Sequence, residues 1–164
     1  MKKEQYERDI FEAYIATESQ FEWYRKAFDF FDARGGKIGW YWNIWAALGG
    51  FWYFIYRKEM NIALWTLFIT IFVAMLLPFG WYIFIIPIFM ILMGGFGTYF
   101  IYKQYHEKKK RLESILKDEM KSIVVMRHQL GGVHLWSIYI AIFSLVALVL
   151  ILIGLYSMSG MSLS

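Results

Sequence analysis

No Asp, Glu, Lys or Arg occurs between positions 62 and 102, a run of 41 residues. A helix rises about 1.5 Å per residue and a bilayer's hydrocarbon core is about 30 Å thick, so roughly 20 apolar residues cross it once. The run is long enough for two crossings. Pro78-Phe79-Gly80 near its middle supplies a turn, because proline cannot extend the hydrogen-bond ladder and glycine frees the backbone. The predicted spans are 62–78 and 82–102, with Pro87 early in the second, where a missing N–H matters least. A second uncharged run, Leu135 to Tyr156, predicts a third span.

Composition points the same way. The 164-residue chain is 59% hydrophobic and 18% charged, against about 45–50% and about 25% in ordinary soluble domains. A soluble domain of this size cannot hide so much apolar surface. Only two prolines among abundant aromatics exclude disorder and collagen, and the absence of cysteine excludes disulfide scaffolds, iron–sulfur clusters and thiolate zinc sites. The fold class expected is an all-α integral membrane protein. The opening MKKEQYERDIFEAY lacks an apolar core followed by a small-residue cleavage site, so no cleavable signal is expected.

Residues 1–37 predict two cytosolic amphipathic helices. Tyr6, Ile10, Phe11, Tyr14 and Ile15 recur at helical spacing in the first, and Phe21, Tyr24, Phe28 and Phe31 in the second. Between them, Thr17 with Gln20 or Ser19 with Glu22 offers a capping box. Gly35-Gly36 is a natural C-terminal stop. Residues 38–58 are different: nine aromatic residues fall within 40–56, with Gly49-Gly50 at the centre. Aromatic rings with polar edges prefer the headgroup boundary, so this segment reads as re-entrant or interfacial. The remaining divisions are a transmembrane hairpin at 59–102, a basic cytosolic helical loop at 103–132, a transmembrane helix at 133–156 and a polar tail at 157–164. In the loop, Leu112, Leu116, Met120, Ile123 and Leu130 keep helical spacing.

Orientation follows from where Lys and Arg fall. Seven lie in 1–37, two at 57–58 and eight in 103–132, which accounts for all 17. With three spans, every basic residue lies on one face, which places the N-terminus in the cytoplasm and the C-terminus outside. The alternative is four transmembrane helices, with 40–56 crossing fully. It would set seven basic residues opposite the other ten, and eight acidic residues among the first 37 keep it open.

The stretch GWYWNIWAALGGFWYFIYRKEM, followed by GTYFIYKQYHEKKK, resembles an uncharacterised bacterial inner-membrane family, one of the domain-of-unknown-function families. That family is built on an aromatic-Asn-x-x-Ala, Trp, Tyr-Arg-Lys-Met core. The matching positions are Trp42, Asn43, Ala46, Trp52, Tyr56, Arg57 and Lys58, with Glu59 inserted before Met60 and Gly49-Gly50 where the family often has Gly-Pro. Tyr102, Tyr105 and His106 match the later Tyr/His feature. The resemblance covers roughly residues 20–115 and implies a bacterial cytoplasmic-membrane location. It carries no established activity.

Several residue groups invite functional assignment. Arg57, Lys58, Lys103, Lys108, Lys109, Lys110 and Arg111 flank the spans and suit contact with anionic lipids, each contributing about 1 kcal/mol near such a leaflet. Glu107, Glu113, Asp118 and Glu119 dilute that patch, so nucleic acid is not an expected partner. Thr66, Thr70 and Ala74 form one small-residue ladder, and Gly94 and Thr98 another; such ladders let helices approach closely in lipid, within the hairpin or between copies in a homo-oligomer. The two central predicted spans contain no ionisable Asp, Glu, Lys, Arg or His, which argues against a monomeric ion-coupled carrier. The histidines, His106, His128 and His134, are not paired within a span as haem ligation would require. No metal, cofactor or catalytic residue is expected. The leading expectation is a non-enzymatic membrane accessory, scaffold or regulatory protein that meets another membrane or cytosolic protein. The alternatives are an oligomeric pore or small-solute transport component, and an interfacial lipid-handling enzyme that would have to draw on Asn43 and Glu59.

Overall fold

A computed structural model describes residues 3–78 and 81–161, and among them every regular element is helical. The chain opens with α1 (Lys3–Ile15) and α2 (Glu18–Ala33). The capping box between them does not form: the Thr17 hydroxyl donates back to the Ile15 carbonyl at 2.9 Å and does not reach the first turn of α2. The predicted glycine stop does form. Gly35 N–H donates to Asp32 O and Gly36 N–H to Phe31 O, both at 2.9 Å, with both glycines at positive φ. That pairing satisfies the last carbonyls of α2.

Residues 37–43 then run without helix across a later helix, and the aromatic segment folds as two short pieces, α3 (Ile44–Gly49) and α4 (Phe51–Tyr56). Gly50, at φ +49° and ψ −126°, breaks them apart in a conformation that glycine adopts without a side-chain clash. Each piece has six residues and is about 9 Å long, so 40–56 is not one continuous crossing helix. The four-span alternative loses its fourth span here.

After α5 (Met60–Leu76), Pro78 is described, whereas Phe79 and Gly80 of the predicted turn lie outside the described residues. Helix α6 (Tyr82–Ile115) is continuous for 34 residues, with Pro87 inside it. The predicted boundary at 102–103 therefore separates two chemistries on one rod, not two elements. At about 51 Å, the rod is longer than a hydrocarbon core is thick. It ends at Leu116, and the Asp118 side chain caps α7 (Glu119–Val125) by accepting from Met120 N–H at 3.0 Å and Lys121 N–H at 3.3 Å. The apolar spacing from Leu112 to Ile123 thus crosses a helix break. A π-helical turn, Met126–Leu130, leads to Gly131-Gly132 and then to α8 (Trp136–Met161).

One helical stretch among the described residues, Ile83–Ile115, is long and apolar enough to cross a membrane; Met60–Leu76 and the apolar stretch Trp136–Ala147 of α8 are shorter. Three full spans are thus more than the described helices support by length and composition alone.

The small residues of α6 pack differently from the expected hairpin. Gly94, Gly95, Gly97 and Thr98 face the aromatic segment and not α5. A Cβ on Gly95 would stand 2.5 Å from the Trp40 indole, one on Gly94 2.6 Å from Trp42, and one on Gly97 2.7 Å from Ala46 Cβ. The backbone follows: Tyr41 N–H donates to Gly95 O at 3.0 Å and Asn43 N–H to Gly94 O at 2.8 Å. Of the other ladder, Thr66 is buried while Thr70 and Ala74 are exposed.

The buried core lies at the polar end of the apolar helices. Ile10, Tyr14 and Ile15 of α1 and Tyr24, Phe28 and Phe31 of α2 pack with Phe54, Ile101, Tyr105 and Met126. Helix α1 also seats on the far polar segment, because Gly132 N–H donates to Tyr14 O at 2.8 Å and Gly131 fits where a side chain would strike the Tyr14 backbone. The N-terminal helices and residues 119–132 therefore share one end of the molecule.

Candidate functional site

Three residues in sequence, Arg57-Lys58-Glu59, join α4 to α5. Lys58 takes φ +58°, and this turn aims the two flanking charges inward. Arg57 is 2% exposed and Glu59 3%. Burying charge is costly unless partners replace water, so the partners define the site.

Glu59 is well provided. Its Oε1 accepts from the Tyr14 hydroxyl at 2.6 Å and from Lys108 Nζ at 2.6 Å. Burial pushes the Glu59 carboxyl above the usual carboxylate range, against the pull of Lys108 and Tyr14. Burial and then the Glu59 charge hold the Tyr14 phenol far above its ordinary value, so it stays protonated and donates. Lys108 also donates to Leu130 O at 2.9 Å. The cluster therefore ties α1, the α4–α5 turn, α6 and the π-helical turn together.

Arg57 is provided for differently. It donates to the Ile15 carbonyl at 3.2 Å, and its guanidinium lies 4.7 Å from the Tyr24 ring centre and 5.9 Å from that of Tyr14. Aromatic faces attract a desolvated cation. Its Nε is buried without a hydrogen-bond partner.

Next to Arg57, a hydroxyl and amide chain links three more elements. Asn43 Oδ1 accepts from Trp45 N–H at 3.0 Å and Ala46 N–H at 3.2 Å, capping α3. That fixes the amide orientation, and Nδ2 donates to the Tyr53 hydroxyl at 3.0 Å and to Thr98 Oγ1 at 3.3 Å. The Tyr53 and Tyr24 hydroxyls are 2.8 Å apart.

The sequence-predicted residues divide accordingly. Of the residues that carry the sequence resemblance, Asn43, Ala46 and Arg57 are buried, and Trp42 covers Gly94. Trp52 is half-buried, as is Tyr56, whose carbonyl accepts from His134 N–H at 2.8 Å. Of the residues read as anionic-lipid contacts, Arg57, Lys108 and Lys109 are corrected. Arg57 is enclosed, Lys108 is spent on Glu59, and Lys109 pairs with Glu7 and Glu113. A carboxylate partner competes with headgroups for each lysine, buried Glu59 for Lys108 and the more exposed Glu7 and Glu113 for Lys109. Lys103, Lys110 and Arg111 are exposed, and half-buried Lys58 reaches the His128 carbonyl at 3.4 Å.

Sequence reasoning placed Tyr14 and Tyr24 on helix faces but gave neither them nor Tyr53 a part in this site. The available signal was the Glu59 insertion, a carboxylate beside a buried arginine at the mouth of an uncharged run. Asn43 and Glu59 are both held by hydrogen bonds to neighbouring side chains and backbone. His106 lies 3.8 Å from Asp32, and His134 packs on Trp136. Among the described residues no group of three or more His, Asp or Glu side chains is placed to hold a metal ion.

Compared with family models, with curated proteins and with solved structures, the chain finds no match in any of the three.

Proposed function

We propose that this chain is a non-enzymatic scaffold or regulatory protein of a bacterial cytoplasmic membrane, in which a rigid cytosolic layer is mounted on a membrane anchor. The observation that carries this reading is the buried Arg57–Glu59–Lys108 cluster, which locks α1 and the π-helical turn onto the polar ends of α5 and α6. Such a cluster contributes a fixed orientation between the parts it joins.

The anchor in this reading comprises α5, the apolar part of α6 and α8. Large apolar side chains along them are exposed, Trp65, Phe68, Phe72 and Met75 on α5 and Phe143, Leu145 and Leu150 on α8 among them. Contiguous apolar surface of that extent needs a cover, and lipid supplies it. A helix of 17 residues sits at the short end of the range that spans a bilayer. The polar ends of the three helices gather where Glu59, Lys108 and His134 lie, which agrees with all 17 basic residues facing the cytoplasm. On the cytosolic layer Met120 and Val124, one helical turn apart on α7, are exposed, and this apolar edge is the surface offered to a partner protein.

Because the chain lacks cysteine, single cysteines at Ala33, Lys58, Gly80, Glu119 and Ser159 test the arrangement. Ala33, Lys58 and Glu119 are expected to label only from the cytoplasmic side, and Gly80 and Ser159 only from outside. External labelling at Ala33 rejects it. Met120→Glu with Val124→Glu is expected to abolish co-purification of a partner while leaving membrane fractionation intact. Co-purification that yields no consistent partner rejects the scaffold role.

A further inference from the structure

Two clefts lie on either side of the Tyr24–Tyr53 hydroxyl pair. One, of about 360 Å³, runs between the aromatic segment and α8, against Trp45, Trp52, Ile138, Ala141 and Ile142. The other, of about 380 Å³, is walled by Ser19, Gln20, Trp23, Tyr24 and Asn43 with Trp42. They share Gln20 and Trp45. Tyr53 lines the first and Tyr24 the second, and the hydroxyls of these two residues are hydrogen-bonded to each other. An apolar groove ending in a few convergent polar groups is the usual make-up of a small-ligand site.

Counting protons leaves one O–H of the tyrosine pair over. The Asn43 amide is fixed by its cap, so Nδ2 donates to the Tyr53 oxygen. Either hydroxyl can donate to the other; where Tyr53 donates to Tyr24, the Tyr24 O–H is left without an acceptor among the described residues, on a residue that lines the polar cleft. The Arg57 charge beneath the Tyr24 ring polarises that hydroxyl toward an acceptor. No charged residue lines either cleft among the described residues, so an anionic head would give up its hydration without gaining an ion pair.

We propose that the joined clefts bind an uncharged amphiphile: an oxygen-bearing head accepts from Tyr24 beside Gln20 and Ser19, and a single apolar chain lies between Trp45, Trp52 and α8. The groove runs along α8 from Ser137 to Ile142, about 7 Å from the polar boundary toward the apolar interior. It thus opens to a chain that arrives within the bilayer leaflet. This site rests on the membrane placement proposed above.

The test uses the full chain in phosphatidylcholine nanodiscs with two photoreactive probes of equal chain length, a monoacylglycerol and a fatty acid, each carrying a diazirine on the chain. Saturable labelling by the monoacylglycerol is expected on the peptides that contain Trp45–Tyr53 and Ser137–Ile142, with weaker labelling by the fatty acid. Ala141→Trp, which fills the groove, abolishes it, while Ile140→Trp, on an exposed residue outside the groove, leaves it unchanged. Tyr24→Phe raises the half-saturating probe concentration about fivefold, the loss of one hydrogen bond. Equal labelling of Ala141→Trp and wild type overturns the site, and so does preference for the fatty acid or labelling that does not saturate. A chain that fails to incorporate into nanodiscs overturns the membrane placement and the site with it.

Discussion

Lys108 Nζ stands 2.6 Å from the Glu59 carboxylate, across 49 residues of chain, with the Glu59 side chain enclosed and that of Lys108 mostly so. Removing one member of a buried pair leaves the other charge without compensation, which costs about 3–5 kcal/mol, whereas replacing both with apolar residues of similar size is near neutral. Glu59→Met and Lys108→Met are each expected to lower the thermal unfolding midpoint in detergent sharply. The double variant is expected to recover most of the loss. A double variant as unstable as the sum of the two singles would show that the two side chains are not coupled.

The raised Glu59 carboxyl makes stability depend on pH. Between the unfolded value of 4.5 and the higher folded value, the folded state binds more protons than the unfolded state. The Glu59 contribution is therefore fully present below 4.5 and is lost as pH rises through the folded value. Glu59→Gln should flatten that part of the curve of unfolding midpoint against pH. A wild-type curve that rises through the same window with an unchanged Glu59→Gln difference contradicts the assignment.

Gly97 and Ala46 touch so closely that a methyl on Gly97 would lie 2.7 Å from Ala46 Cβ. Helix propensity alone favours Gly97→Ala by about 1 kcal/mol. Overpacking reverses the sign, and a net loss of about 1–3 kcal/mol is expected. Ala46→Gly in the Gly97→Ala background restores the space, so the pair should be more stable than Gly97→Ala alone in the same thermal assay.

Asn43 does two jobs that can be separated. Asn43→Ser keeps a cap acceptor for α3 and loses the donors to Tyr53 and Thr98, while Asn43→Ala loses both functions. The difference between these variants should be about 1 kcal/mol, the worth of the cap. Measured unfolding free energies that coincide would place the whole contribution in the Tyr53 and Thr98 bonds.

Much of the helical architecture was legible in the chain, because it follows from local rules. Charge-free runs mark α5, α6 and α8, and Gly35-Gly36 marks the end of α2. Gly50 breaks the aromatic segment where its glycine pair suggested. What stayed hidden was pairing over distance. Nothing local in Lys108-Lys109-Lys110-Arg111 tells which lysine meets a carboxylate, since Glu59 and Glu7 arrive from elsewhere in the chain. The glycines of α6 read as packing residues, but spacing cannot identify the partner, which is the aromatic segment: the indoles of Trp40 and Trp42 and Ala46 of α3. The Arg57 position was misjudged for a related reason: an arginine at the mouth of an apolar run normally points to headgroups, and only the positive φ of Lys58 turns it inward.

The bond from Gly132 to Tyr14 joins positions made far apart in time. Helix α1 is synthesised before its seat, which includes residues 126–132, and Lys108 must also have emerged before Glu59 is matched. A segment that leaves the ribosome before its partners is thus among the last to find its place. Until then it must wait with Tyr14, Ile15 and Ile10 uncovered, so a nascent chain halted before residue 108 should be the form most dependent on chaperones.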